Sequence, residues 1–152
     1  MRLYPRLPAL VAMVLTAAIG LGLMAGTGQF RTTDLSHATL AELEKQIVHT
    51  QDGKVWLAYG DKLLEEHRTD PAMKAFQRAA ALQPDLVEAR IKMGIAIGQG
   101  GNADAFFTYI SRLCISYPKV AADLLERPEL SSLHTHPKWD EAVVSAKAQA
   151  VD

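Results

Sequence analysis

From residue 38 onward, apolar side chains recur three and four residues apart, the spacing that lines them up on one face of a helix. Ala38–His49 carries Leu40, Leu43, Ile47 and Val48 on such a stripe. Trp56, Tyr59 and Leu63 form the next, then Ala72, Phe76 and Ala79, then Met93 and Ile97. Turn chemistry separates the stripes. Asp70-Pro71 reads as an N-cap followed by proline at the first helical position. Pro84 and Pro118 end helices, because proline has no N–H to donate and clashes with the preceding turn. Gly98–Gly101 and Asn102 read as a turn between helices. Beyond Pro118, Val120–Leu125 is a short helix ended by Pro128, followed by a brief segment at Leu130–Leu133. A last helix runs from about Pro137 to Ala148, with Trp139, Ala142, Val143 and Ala146 as its stripe. The pattern predicts an all-α domain.

The first 26 residues follow a different rule. Met1–Pro8 carries Arg2 and Arg6 and no acid, and Ala9 to Gly26 is uncharged throughout. That length sits at the short end for a membrane-spanning helix and exceeds the usual signal-peptide core. The flanking arginines stay in the cytoplasm, so the rest of the chain faces outward. The organisation expected is an anchor or signal segment over 1–28, a polar tether over 29–37 and a helical domain over 38–150. Location follows: the inner membrane, single-pass, with a periplasmic domain. The rival is a periplasmic or secreted protein after cleavage near the small residues Gly26 and Gly28, although the A-x-A form is absent.

Two marks recur at one spacing: Gly60 is followed by Gly94 and Pro84 by Pro118, each 34 residues on. Trp56, Tyr59, Gly60 and Leu63, then Ala72, Phe76, Ala79 and Pro84, resemble the eight marked positions of a tetratricopeptide repeat. Tyr59 stands for the usual leucine and Leu63 for the usual tyrosine. The resemblance implies a stack of helical hairpins that binds other proteins. Within it, Gly60 and Ala79 let two helices approach, and the larger side chains fill the space between them. In the next unit Met93, Gly94, Ile97 and Pro118 keep the register, but Arg90 takes the tryptophan position. Phe106 and Leu113 occupy the two small-residue positions. Either the helices stand further apart there or a following element docks differently. Fewer than three repeats rarely stand alone, so Ala38–His49 is expected to complete an earlier unit and the last helix to cap the stack.

In the tetratricopeptide family, the first helices of successive units line a groove for extended peptides. The resemblance assigns that groove to Lys54, Leu57, Asp61 and Leu64 from the first unit and to Glu88, Ile91, Ile95 and Gln99 from the second. Leu57 and Asp61 stand where some members carry residues that grip a C-terminal carboxylate, which argues against that mode. The surface implied is apolar and acidic, suited to an apolar segment with basic flanks. Two uses of Leu57, Ile91 and Ile95 stay open: facing a partner, or packing in the core. The order of membrane segment, LAELEKQI, GKVWLAYGDKL and AFQRAAALQPDLVEA is similar to the tetratricopeptide subunits of c-type cytochrome biogenesis. Those proteins present apocytochrome to the haem-attachment machinery.

Charge and candidate chemistry narrow the classes. The chain has 16 basic and 17 acidic residues, and setting aside Arg2 and Arg6 leaves 14 against 17. A slightly acidic domain without a nucleic-acid motif is not expected to bind phosphate backbones. Cys114 is the one cysteine, which excludes an intramolecular disulfide and reads as a small buried hydrophobe. A redox or enzyme accessory using Cys114 is the alternative from another class, and it requires an exposed thiol of lowered pKa. His134-Thr135-His136 offers two local ligands where zinc wants three or four, so no metal is expected, and His136 or Thr135 is expected to cap the last helix. No catalytic constellation stands out, so the expectation is a non-enzyme without cofactors: a scaffold for a protein or peptide partner. Self-association as a homo-oligomer is the remaining structural alternative.

Overall fold

A computed structural model describes residues 35–151. The anchor predicted over 1–28 and the first part of the tether lie outside the described residues. Within them the chain is helical, without a strand: α1 (Leu40–Ile47), α2 (Gly53–Glu65), α3 (Thr69–Leu82), α4 (Val87–Gln99), α5 (Ala103–Ser116), α6 (Pro118–Leu125) and α7 (Trp139–Ala150). Short 3-10 turns occupy Leu35–His37, at the expected end of the tether, and Pro128–Leu133. No helix among the described residues is long and apolar enough to cross a membrane.

Local chemistry explains most helix starts. Thr39 and Glu42 form a capping box at α1: Thr39 N–H donates to Glu42 Oε2 at 2.8 Å, and Glu42 N–H donates to Thr39 Oγ1 at 3.3 Å. Each bond satisfies a helix-end donor that has no partner within the helix. Asp52 caps α2 by accepting from Lys54 N–H at 2.9 Å, and Asn102 caps α5 by accepting from Ala105 N–H at 3.0 Å. Pro118 opens α6. The start of α3 differs from expectation. The helix begins at Thr69 with Arg68 as its N-cap, so Asp70 and Pro71 lie inside the first turn. A proline is tolerated there because its missing N–H belongs to a donor with no intrahelical partner.

The reason for this early start is the end of α2. His67 adopts φ +57°. Arg68 N–H donates to Leu63 O at 2.8 Å and His67 N–H to Leu64 O at 2.9 Å. This pair of bonds is the Schellman closure, which turns the chain within two residues. The same left-handed conformation recurs at Gly101, φ +77°, 34 positions later. Glycine adopts it freely, whereas a residue with a Cβ is strained. Replacing His67 by glycine is therefore expected to raise the unfolding free energy by ~1 kcal/mol, read from urea melts. An unchanged or lower midpoint would remove the strain argument.

The 34-residue offset extends from the sequence marks to whole helices. α2 and α4 each have 13 residues and start 34 apart, and α3 and α5 each have 14 and also start 34 apart. Their packing is not identical. In the first pair, Gly60 faces Phe76, whose ring would lie 2.7 Å (Cδ1) from an added Cβ. Ala72 and Ala79 are fully buried beside it, and α2 packs closely along α3. In the second pair, Phe106 and Leu113 are buried in place of those alanines, and α4 meets α5 less closely.

The space on α4 is taken by later elements. A Cβ at Gly94 would collide with Leu124 of α6 and stand 3.1 Å from Tyr109, and one at Gly98 would stand 2.5 Å from Leu130 of the 3-10 turn. Gly98 is thus a helical residue under a packing partner, not part of the turn expected at Gly98–Gly101. A following element does dock differently, as one of the two expectations held.

Two apolar clusters result. Leu63, Ala72, Ala75, Phe76 and Ala96 form the first, and Met73 and Met93 touch both it and the larger second cluster. Fully burying a side chain the size of Phe76 contributes roughly 1.5–3 kcal/mol. The last helix closes the second cluster: Trp139 stacks on Phe106 with centroids 6.3 Å apart, and Ala142 and Ala146 are buried.

Candidate functional site

The groove residues expected on α2 line one exposed flank of the first cluster. Lys54 is exposed, while Leu57, Asp61 and Leu64 are half-buried. Leu57 and Leu64 pack their inner sides against the first cluster. On α4, Gln99 is exposed and Glu88 half-buried. Ile91 and Ile95 are different: at 2% and 3% exposure they belong to the second core cluster. Their expected place on a partner surface is corrected to the core, because α6 and the 3-10 turn that pack on α4 extend that cluster over this part of the helix.

The electrostatics of the face also differ from a net acidic surface. Lys92 Nζ lies 3.1 Å from Asp61 Oδ1 and joins α4 to α2, and Arg127 lies 3.5 Å from Glu88. Both expected acidic residues therefore carry a basic neighbour. Partly exposed pairs of this kind stabilise little, but they set the charge a partner meets. Lys92 and Arg127 were not singled out in the sequence. The lysine follows Ile91 directly, yet its pairing needs α2 and α4 side by side.

The repeat marks act structurally. Leu63, Phe76, Ala72 and Ala79 are fully buried, and Gly60 and Gly94 are buried under side chains. Trp56 and Tyr59 are half-buried and meet edge to face at 6.2 Å. Pro84 is exposed between α3 and α4, whereas Pro118 starts α6 directly after α5.

Arg90, in the tryptophan position, is a buried cation at 9% exposure. It donates to Pro84 O at 2.6 Å and to Tyr117 Oη at 3.0 Å, and its guanidinium lies 4.0 Å from the Tyr117 ring centroid. Tyr109 Oη–H in turn donates to Arg90 O at 2.8 Å. This network binds the α3–α4 turn to the α5–α6 junction. Burial pushes the Tyr109 phenol up to about 12, with Arg90 opposing the shift. The unfolded phenol loses its proton near 10 while the folded one keeps it, so stability falls as pH rises between these values. Between pH 9 and 11 the loss expected is about 1.3 kcal/mol, absent in Tyr109→Phe; urea melts at these two pH values would read it, and equal losses for both proteins would refute it.

Cys114 is buried, and burial raises its thiol pKa, opposed by a hydrogen bond with Ser145. That environment disfavours a thiolate nucleophile. The His134–His136 turn is tied to aromatic rings. His136 stacks on Phe107 at 4.6 Å, and His134 lies 4.3 Å from Trp139. His136 Nδ1 accepts from Lys138 N–H at 3.2 Å, and α7 has Lys138 as its N-cap without a side-chain bond. His136 thus accepts from the backbone N–H at the start of α7 while its ring is docked on Phe107, whereas no capping bond is made by Thr135. Among the described residues no group of three His, Cys, Asp or Glu side chains is placed to hold a metal. In comparisons with known proteins, no family model and no curated protein matches the chain.

Proposed function

We propose that this protein is a non-catalytic scaffold that binds an extended polypeptide across the face formed by α2 and α4. The supporting observation is the pair of half-buried leucines, Leu57 and Leu64, flanking the neutralised Asp61–Lys92 pair. Apolar contact area ringed by paired charges and exposed polar ends (Lys54, Gln99) suits an apolar segment with few bare charges. The buried, unactivated thiol of Cys114 favours binding over redox chemistry. In its narrower form, the proposal places the scaffold outside the inner membrane, held by segment 1–28, where it presents a client during assembly of an envelope complex. Maturation of c-type cytochromes is the most specific version, and it rests on resemblance in sequence alone.

Photo-crosslinking residues at Lys54 and Gln99 of the full chain, expressed in cells, test the face. Covalent capture of one protein from both positions, and none from the exposed Arg112 on α5, is the expected result. Capture from Arg112 alone would reject the α2–α4 face.

A further inference from the structure

On another part of the domain, α5 and α7 run side by side with their N-terminal ends together, joined where Lys138 Nζ lies 2.8 Å from Asp104 Oδ1. Between them opens a cleft of about 340 Å³. Two of the α7 side chains that line it, Ala142 and Ser145, are small. Its size is at the lower end of small-ligand sites. Phe107, Ile110 and Ala142 supply apolar lining.

The polar lining is rich in acceptors and poor in donors. Thr108 Oγ1 donates its proton to Asp104 O, and Ser111 Oγ donates to Phe107 O, each at 2.8 Å. A hydroxyl has one proton and two lone pairs, so both present only lone pairs to a ligand. Ser145 Oγ already accepts from Gln149 Nε2 at 3.0 Å and is bonded with Cys114. The Lys138 ammonium is the cation of the lining; it donates one of its three N–H groups to Asp104, whose carboxyl it holds below the usual range. Glu141, exposed, adds a carboxylate to the lining and has no ion pair among the described residues.

We infer that the α5–α7 cleft is a binding site for an alkylammonium or alkylguanidinium group. The cationic head meets Glu141 and the lone pairs of Thr108 and Ser111, and the aliphatic stem lies on Phe107 and Ile110. A charged donor with a short apolar body satisfies each of these surfaces at once. An anion would meet Lys138, which Asp104 already neutralises, and would otherwise face the Glu141 carboxylate and unpaired acceptors, while a neutral hydrocarbon would leave those acceptors dry. The inference is independent of the α2–α4 face.

The same chemistry has two sources, a free amine or guanidine and the arginine side chain of a bound polypeptide. Amide NMR shifts of the full chain in detergent micelles test both, with butylguanidinium as the small probe and a blocked Ala-Ala-Arg-Ala-Ala peptide as the other. Saturable shifts at Phe107–Ser111 and Glu141–Ser145 are expected, with a dissociation constant on the order of millimolar for so small a ligand. Butanol and butyrate should give none. Glu141→Gln, an exposed change, should weaken binding about tenfold, and Lys138→Met, which removes a competing cation, should tighten it. Tighter binding of the peptide assigns the site to a protein ligand; equal or weaker binding assigns it to a small amine. Linear, unsaturated shifts, or affinity unaltered by Glu141→Gln, would overturn the inference.

Discussion

Replacing Gly60 by leucine is expected to lower the unfolding free energy by ~3 kcal/mol, at the upper end for overpacking a tight interior. An added Cβ falls within the Phe76 ring envelope, with Cδ1 at 2.7 Å and Cζ at 2.9 Å. An aromatic ring cannot retract like the tip of a flexible side chain, and Phe76 is fully buried in one cluster with Leu63, Ala72 and Ala75. The strain must separate α2 from α3. Gly60→Ala isolates the steric part, because alanine improves helix propensity by about 0.8–1 kcal/mol over glycine while still meeting the ring. A net destabilisation by alanine, partly recovered when Phe76→Leu is added, would show the coupling directly. If Gly60→Ala raises the melting temperature, the close approach assigned to the hairpin is wrong.

Arg90→Ala is expected to cost about 3 kcal/mol, from two hydrogen bonds by a charged donor and a cation–π contact. It frees the α3–α4 turn from the α5–α6 junction, since Pro84 O and Tyr117 Oη both lose their donor. Lysine should restore little. A single ammonium does not reproduce the planar fork that reaches two acceptors while lying on a ring. Tyr117→Phe, which removes one bond and keeps the ring contact, should cost about 1 kcal/mol. Chemical denaturation of the four proteins reads the order wild type, Tyr117→Phe, Arg90→Lys, Arg90→Ala. Equal stability for Arg90→Ala and wild type would mean that Arg90 contributes no more than its exposed neighbours.

Both expectations concern positions that the 34-residue spacing marked, and they show where that spacing was informative. Gly60 carried part of its meaning in the sequence: with Ala79 it implied helices in close approach, and the close approach is there, but Gly60 meets the Phe76 ring whereas Ala79 lies by Gly53. At the equivalent Gly94, the residue again receives a side chain, but from α6, two helices on. Phe106 and Leu113 signalled that something would change without saying what. Arg90 was legible only as a departure, because its partners lie six and 27 residues away.

The candidate face was legible in part. Lys54, Leu57, Asp61, Leu64, Glu88 and Gln99 are at least partly exposed, whereas Ile91 and Ile95 are core. A helical stripe tells which residues share a face but not what that face meets. On α4, apolar residues surround the helix because it packs against neighbours on several sides. The α5–α7 cleft left no pattern in the chain, since it depends on small residues of one helix lying beside hydroxyls of another.

The sequence by itself determined the helices and the two-fold recurrence of the hairpin, because these follow from interactions within a few residues: periodicity and the chemistry of proline and glycine. His67 shows the limit even there, a left-handed closure without glycine to announce it. Only the tertiary structure decided that α6 fills the surface of α4, that Lys92 neutralises Asp61, and that an acceptor-lined cleft opens beside α7. Those outcomes depend on side-chain volumes and charges brought together from distant parts of the chain, where one methylene or one ion pair changes which packing is lowest in free energy.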